Sequence, residues 1–457
     1  MKVNNPANGN LINEVPDTSA EGVEAAYAAA RTAQPEWAAR PLAERIDVLR
    51  KFRAGVVYRL DELAATLTAE TGKAITQSRN ELNGLLPRID FFLDHVESAL
   101  AEEVVFEDHD AGLVEMISRE PLGVIANISA WNYPWFVGSN AFVPGLLAGN
   151  AVLYKPSEFA LNTGVAIGDL LWSAGVPRDV FAVLVGGADV GAALLDQPVD
   201  GVFFTGSYPT GRRIAQHVAG RMIPVQLELG GKDPIYVASD ADPGVAEGLA
   251  DGAFYNNGQS CCSVERIYVH AHVYDAFVER FASAVDSFVL GDPSADTTYL
   301  GPLTRPQQIE VLEAQVADAV ARGATILRGG TAINHGGHAG WFAPTVLVDV
   351  THDMAVMRDE SFGPIIGIQK VSSDDEALGL MNDTEFGLTA GVYTPDAERA
   401  RRMLAQVNAG SAYWNCCDRV SPRLPWSGRG HSGIGSTLAT IGITAFTKPK
   451  AWHRRSG

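Results

Sequence analysis

A cysteine, a glutamate and an asparagine from three separate segments have the types needed to work on one carbonyl carbon. Cys261 lies in Asn257-Gly258-Gln259-Ser260-Cys261-Cys262, downstream of Glu228 in Leu227-Glu228-Leu229-Gly230-Gly231-Lys232. A thiol nucleophile and a carboxylate able to act as general base are the minimum parts for covalent catalysis through a thioester. Asn132, in Trp131-Asn132-Tyr133-Pro134-Trp135, adds an amide donor. Attack by a thiolate creates an oxyanion, which needs donors already aimed at it. The Asn132 amide and the backbone N–H of Cys261 can fill that need, and losing one such donor typically costs about 2.7–4 kcal/mol of transition-state stabilisation.

With Leu-Glu-Leu-Gly-Gly-Lys and Asn-Gly-Gln-x-Cys intact and in this order, the chain resembles the NAD(P)-dependent aldehyde dehydrogenase superfamily over nearly its whole length. The resemblance implies a sequence of events. Cys261 forms a thiohemiacetal, hydride leaves for NAD, and water activated by Glu228 hydrolyses the thioester. The product is a carboxylic acid.

A cofactor site follows from the same resemblance. Lys155, Ser157 and Glu158 stand in Gly149-Asn150-Ala151-Val152-Leu153-Tyr154-Lys155-Pro156-Ser157-Glu158. Lys155 closes a strand, where open α/β sheets place ligands. The family uses this Lys and this Glu on the adenosine ribose. A glutamate there accepts from both ribose hydroxyls and repels a 2′-phosphate, which favours NAD and leaves NADP possible. Gly206 and Ser207, in Phe204-Thr205-Gly206-Ser207-Tyr208-Pro209-Thr210-Gly211, read as a strand, a glycine turn and a helix N-terminus able to accept a pyrophosphate. Read alone, the stretch is a strand-to-helix turn, since it lacks the Gly-x-Gly-x-x-Gly pattern. Glu360 and Phe362, in Glu360-Ser361-Phe362-Gly363-Pro364, would meet the nicotinamide ribose and ring. Gly230 would let the ring approach, and Trp131 joins the cofactor set.

Tyr133, Phe136, Val137, Ser260, Cys262 and Trp426 fall where the family lines its aldehyde tunnel. Aromatic walls favour an apolar or aromatic aldehyde. Arg419 and Arg423, on the loop 416–425, are cations that could meet a carboxylate. Two family features are absent. A lysine and a glutamate that form a proton exit path in some members are here Ala141 and Thr437, so protons would leave through Glu228 and water alone. Tyr208 also stands where threonine is usual, and the N-terminus starts late, without the first hairpin of many relatives.

The elements that must position these groups follow from pattern. A chain of 457 residues, 46% hydrophobic and 19% charged, is expected to fold into two or three domains. The first hundred residues read as helical: 21–40, opened by a Thr18-x-x-Glu21 capping box, then a second helix carrying Ile46, Leu49, Arg53 and Val56 on one face, 60–70, and 80–100. Residues 103–119 alternate and read as a hairpin. From Gly123 short apolar strands (123–128, 151–154, 181–185, 201–204, 225–229) alternate with helices, the mark of a parallel α/β sheet. A second alternation follows Cys261, and 443–452 reads as a strand. The fold class expected is α/β, aldehyde-dehydrogenase-like. It comprises a Rossmann-type dinucleotide-binding domain (1–102 and 120–229), an α/β catalytic domain (230–430) and a β oligomerisation arm (103–119 and 441–457). Strand edges on such an arm invite pairing between subunits, predicting a homodimer or homotetramer.

A net charge of −19 argues against nucleic acid and anionic membrane surfaces as partners, leaving a small-molecule aldehyde. No apolar run follows Lys2, so no signal peptide is read and a cytoplasmic location is expected. The four cysteines form two adjacent pairs, and neither a Cys-x-x-Cys spacing nor any other metal pattern is present. A CoA-acylating relative would generally lack the glutamate base. A cysteine hydrolase would need a histidine base, and none of the ten histidines sits in a recognisable motif near Cys261. A catalytically silent member would be expected to have lost Cys261 or Asn132.

Overall fold

The computed structural model describes residues 1–455; the last two residues of the expected arm lie outside the described residues. Strands β1 (Lys2–Asn4) and β2 (Leu11–Glu14) pair antiparallel, so the chain does carry an N-terminal hairpin. Every residue of β2 is exposed, and no apolar alternation announces it. Four helices follow: α1 (Ala20–Ala39), α2 (Leu42–Tyr58), α3 (Leu60–Thr71) and α4 (Ile75–Leu100). The cap of α1 is Ser19, whose hydroxyl accepts the Gly22 N–H, rather than the expected Thr18. The Thr18 hydroxyl instead accepts the Val185 N–H. Gly72 ends α3 in the left-handed region at φ 77°, where a Cβ would overlap Pro302. On α2, Ile46, Leu49 and Val56 are buried, while Arg53 pairs with Asp90 of α4 at 2.5 Å.

Next, β3 (Glu103–Asp108) and β4 (Leu113–Pro121) form the expected hairpin. The C-terminal strand Thr447–Arg455 pairs antiparallel with β4, making a three-stranded sheet. Part of the expected last strand is instead a short helix, Ala439–Thr444.

The central sheet begins at β5 (Val124–Ile128). It continues through β6 (Ala151–Lys155), β7 (Phe181–Val183), β8 (Gly201–Thr205) and β9 (Val225–Glu228). Helices α5 (Pro134–Leu147), α6 (Leu161–Ala174), α7 (Ala188–Asp196) and α8 (Tyr208–Val218) make the crossovers. The strand order is β9-β8-β5-β6-β7, all parallel, with Gly433–Ile434 added antiparallel beyond β9. Each residue of β5 and β6 is buried, which is why both read as near-continuous apolar runs, broken only by Asn127 and the closing Lys155.

A second, seven-stranded sheet is built around β10 (Asp233–Val237) and β11 (Val264–His270). Thr389–Tyr393 and then Ser411–Trp414 extend it beyond β10. Ile365–Val371, Thr345–Val348 and Thr325–Arg328 extend it beyond β11. Strand β10, which the sequence pattern hid behind the glycine motif, carries the chain directly from Glu228 on the first sheet into the second. Among the described residues, no helix is long and apolar enough to cross a membrane, and no cluster of His, Cys, Asp and Glu could hold a metal ion.

Candidate active site

Open parallel sheets hold ligands at the carboxyl ends of their strands. The segment 129–132 follows β5, Lys155 ends β6, Thr205–Ser207 follow β8, and Glu228 ends β9. Register places Thr205 opposite Glu228 and Ile128 opposite Lys155, so these groups share one edge.

Cys261 reaches that edge from a strained loop. Asn256, Asn257 and Gly258 are consecutive left-handed residues, with φ 53°, 57° and 66°. Such a run persists only where surrounding contacts hold it. The Asn257 amide donates to Gly301 O and Pro302 O, both at 2.9 Å. The Gln259 side chain accepts the Thr304 N–H at 3.0 Å and donates to Asn256 O at 3.1 Å. A Cβ on Gly258 would overlap the Gly363 carbonyl. These bonds explain why Asn-Asn-Gly-Gln precedes the thiol.

The two adjacent thiols are not equivalent. Cys261 is half-exposed and lines a cavity of about 220 Å³. Cys262 is buried and bonds Asp418 Oδ1 at 3.1 Å. The neighbouring Cys261 thiol, burial and the charge of Asp418 push the Cys262 thiol well up, keeping it protonated.

Asn132 is buried, and its Nδ2 donates to the carbonyl of Gln259 at 3.2 Å, directing the amide towards the cysteine loop. Its backbone is clamped by Lys73, from the turn between α3 and α4, and Glu81, from α4. Lys73 Nζ donates to Asn132 O at 2.6 Å, pairs with Glu81, and lies 3.8 Å from the centre of the Tyr133 ring. Glu81 accepts the Trp135 N–H at 2.9 Å, at the start of α5, where helix N–H groups lack intrahelical partners. Both side chains are at most 1% exposed. Nothing in one-dimensional spacing signals this clamp, since Lys73 precedes α4 and Glu81 lies within it.

Glu228 faces the same cavity as Cys261 and Asn132. Its Oε1 accepts from Thr437 Oγ1 at 3.0 Å and Gln226 Nε2 at 3.4 Å. Its Oε2 is buried with no protein partner. Burial raises the carboxyl pKa to about 7, with the Thr437 and Gln226 bonds acting in the opposite direction. Thr437, which replaces one member of the absent proton path, thus touches the base directly.

The glycine motif and the Glu360 loop interlock. Lys232 pairs with Glu265 at 2.6 Å in the interior. Glu265 also accepts the N–H groups of Ser361 and Phe362, both at 2.9 Å. Phe362 is held in the left-handed region at φ 46°, and its ring lies edge-on to Trp131 at 5.6 Å. Glu360 accepts the Gly231 N–H at 3.0 Å, and burial raises its pKa to about 7. A Cβ on Gly230 would overlap the Glu360 carboxylate, which would have to move aside. Arg305 and Gln308, not singled out by the sequence, line this cavity as well.

A second cavity of about 620 Å³ shares Trp131, Thr205, Gly206 and Arg305 with the first. It contains Lys155, Ser157 and Glu158. Lys155 is buried, donates only to Pro156 O at 3.1 Å, and keeps Glu158 at 4.0 Å. Two of its three N–H donors are therefore free for a ligand's hydroxyls. Ser207 turns its hydroxyl to Thr210 at 3.2 Å instead of capping α8. The first N–H groups of that helix stay open to an anion. Tyr208 stacks on His431 at 3.7 Å. Donors for ribose, an open helix terminus for a pyrophosphate, and Trp131 and Phe362 for a flat ring fit a dinucleotide along this groove.

The residues expected to line a tunnel do not line the Cys261 cavity. Tyr133 and Phe136 stack at 5.8 Å, and Phe136 packs with Cys261, Cys262 and Trp426 in one apolar cluster. Ser260 Oγ lies 3.5 Å from Cys262 Sγ, and Val137 is half-buried on the first turn of α5. Arg419 and Arg423 are exposed.

The sequence model of the aldehyde dehydrogenase family matches residues 1–452. A 3,6-anhydro-alpha-L-galactose dehydrogenase from Streptomyces coelicolor is 37% identical over 460 residues, covering 100% of this chain and 93% of that protein. Among solved structures, a 3,6-anhydro-L-galactose dehydrogenase in complex with NAP superposes with a TM-score of 0.95 at 33% identity, covering 99% of this chain and 96% of that one. PnpE in complex with nicotinamide adenine dinucleotide gives 0.96 at 33% identity, over 100% and 94%. The chain belongs to the aldehyde dehydrogenase family and is an NAD(P)-dependent oxidoreductase acting on aldehydes.

Proposed function

We propose that the chain converts an aldehyde to a carboxylic acid through a thiohemiacetal and then a thioester on Cys261. The Asn132 amide and the Cys261 N–H hold the oxyanion of each tetrahedral adduct. Bound dinucleotide supplies the hydride acceptor. Glu228 takes a proton from the water that attacks the thioester carbonyl. The observation that carries this reading is Glu228 Oε2, buried without a partner on the wall shared with Cys261 and Asn132, in a carboxyl whose pKa is about 7. A base poised near neutrality suits proton abstraction at working pH.

Cys261→Ser is expected to bind the dinucleotide and form no NADH from any aldehyde; turnover by that variant would exclude the thioester route. Of the two dinucleotides, we infer NAD as the preferred one, because Glu158 sits on the groove wall beside Lys155 with its carboxylate partly exposed. For quaternary structure we infer a homodimer or homotetramer. It would form through the sheet of β3, β4 and Thr447–Arg455, where Val104, Val105 and Phe106 on β3 are exposed. Light scattering that reports a monomer would contradict this.

A further inference from the structure

Arg88 is a buried cation with no ion-pair partner among the described residues. It lies on α4 and is 5% exposed. Its guanidinium stacks 3.9 Å over the Phe136 ring, and Nη1 donates to Asn140 Oδ1 at 3.2 Å. Guanidinium carries five N–H donors, and a buried charge left unpaired is costly, so such a group calls for an anion.

The surroundings say where that anion comes from. Phe136 and Asn140 both sit on α5, the helix that follows the oxyanion donor Asn132. Gly84, one turn before Arg88 on α4, lets Phe136 press against the helix, since a Cβ there would overlap its ring. The ionisable groups whose charges act on Arg88 are Cys262, Glu81 and Cys261. Glu81 is committed to Lys73 and the start of α5. Asp418, a carboxylate beside Cys262, accepts from its thiol and does not pair with Arg88. Burial lowers the Arg88 pKa to about 10, so the guanidinium keeps its charge at neutral pH.

We propose that Arg88, held by Asn140 and Phe136 close to the two thiols, recognises a carboxylate, and that the substrate is an aldehyde carrying a carboxylate at its far end. The proposal rests on the reading of Cys261 as the group that attacks the aldehyde. It places the selective cation in the interior, where the sequence pointed to the exposed Arg419 and Arg423. A bidentate carboxylate would take the N–H groups that Asn140 leaves free.

The test compares succinate semialdehyde with its methyl ester, which has the same chain and no charge, by NADH formation with the intact enzyme. Glutarate semialdehyde, 3,6-anhydro-L-galactose and propanal complete the panel. The acid is expected to exceed the ester in kcat/KM by about tenfold or more, a difference of about 1.4 kcal/mol. Arg88→Gln should bring that ratio close to one through a raised KM for the acid, and Arg88→Lys should retain part of it. Should Arg88→Gln fail to fold, inhibition of the wild-type enzyme decides: succinate should compete with the aldehyde far better than monomethyl succinate does. Equal kcat/KM for acid and ester, an unchanged ratio in Arg88→Gln, or faster turnover of the neutral sugar aldehyde would overturn the proposal. NADH formation from none of the five aldehydes would instead overturn the reading of Cys261, and the proposal with it.

Discussion

The Thr437 hydroxyl donates to Oε1 of Glu228 at 3.0 Å, while Oε2 of the same carboxylate is left bare. One oxygen is fixed and the other is free to take a proton. Thr437 itself is fixed through its backbone, which exchanges two hydrogen bonds with Trp426 at 2.7 and 2.8 Å. The base is thereby tied to the segment that also supplies a wall of the aldehyde side.

Replacing Thr437 with valine therefore affects the base without changing side-chain shape greatly. The lost bond favours the ionised carboxylate, so its removal raises the Glu228 pKa further above about 7. Thioester hydrolysis needs the ionised form, so its rising pH limb should move to higher pH. A hydrogen bond to a charged group is worth about 1.5–3 kcal/mol, which corresponds to about a tenfold or larger loss below pH 7. Near pH 9 the variant should approach the wild-type rate, and Thr437→Ser should restore the profile. A uniform loss at every pH would mean that Thr437 acts only through packing.

Lys73 and Glu81 form the clamp on Asn132. Lys73→Met leaves the Glu81 carboxylate buried and alone, and breaking such a pair typically costs about 3–5 kcal/mol of stability. Lys73→Met combined with Glu81→Leu removes both charges and should recover most of the apparent Tm. Formation of the first equivalent of NADH should stay slow in both variants, by up to about a hundredfold, because the oxyanion donor is no longer held. Full recovery of that rate in the double variant would show that Asn132 keeps its position unaided.

Glu158 allows a cofactor test independent of the chemistry. Its side chain is 42% exposed on the wall of the larger cavity. Glu158→Ser should raise KM for NAD and lower KM for NADP, with kcat on each dinucleotide little altered. An unchanged ratio would move the discrimination to other groups in that groove, such as Lys155, Arg213 and Arg305.

Much of the site was legible because its chemistry is written in contiguous motifs. Leu227–Lys232 and Asn257–Cys262 each gather several constraints into six residues: left-handed backbone, a close glycine, a buried lysine. The strands β5, β6 and β8 were legible because burial on both faces leaves near-continuous apolar runs. What stayed hidden depends on tertiary partners. The period of α4 reveals a helix, yet it cannot tell that Glu81 and Arg88 turn inward while Asp94 stays at the surface. Glu265 looks like any strand carboxylate until Lys232 and the Phe362 loop meet it. Strand β2 has no buried residue to mark it, and the short helix Ala439–Thr444 is entered through Leu438 and Ala439 at φ 60° and 50°, which no apolar pattern encodes.

The measurement closest to the heart of the account is single-turnover kinetics of Glu228→Gln with an aldehyde and NAD, coupled to intact-mass analysis. The account predicts a burst of about one NADH per subunit, then a stall, with a mass increment equal to the acyl group retained on Cys261. Steady turnover without a burst, and no adduct on the chain, would contradict it.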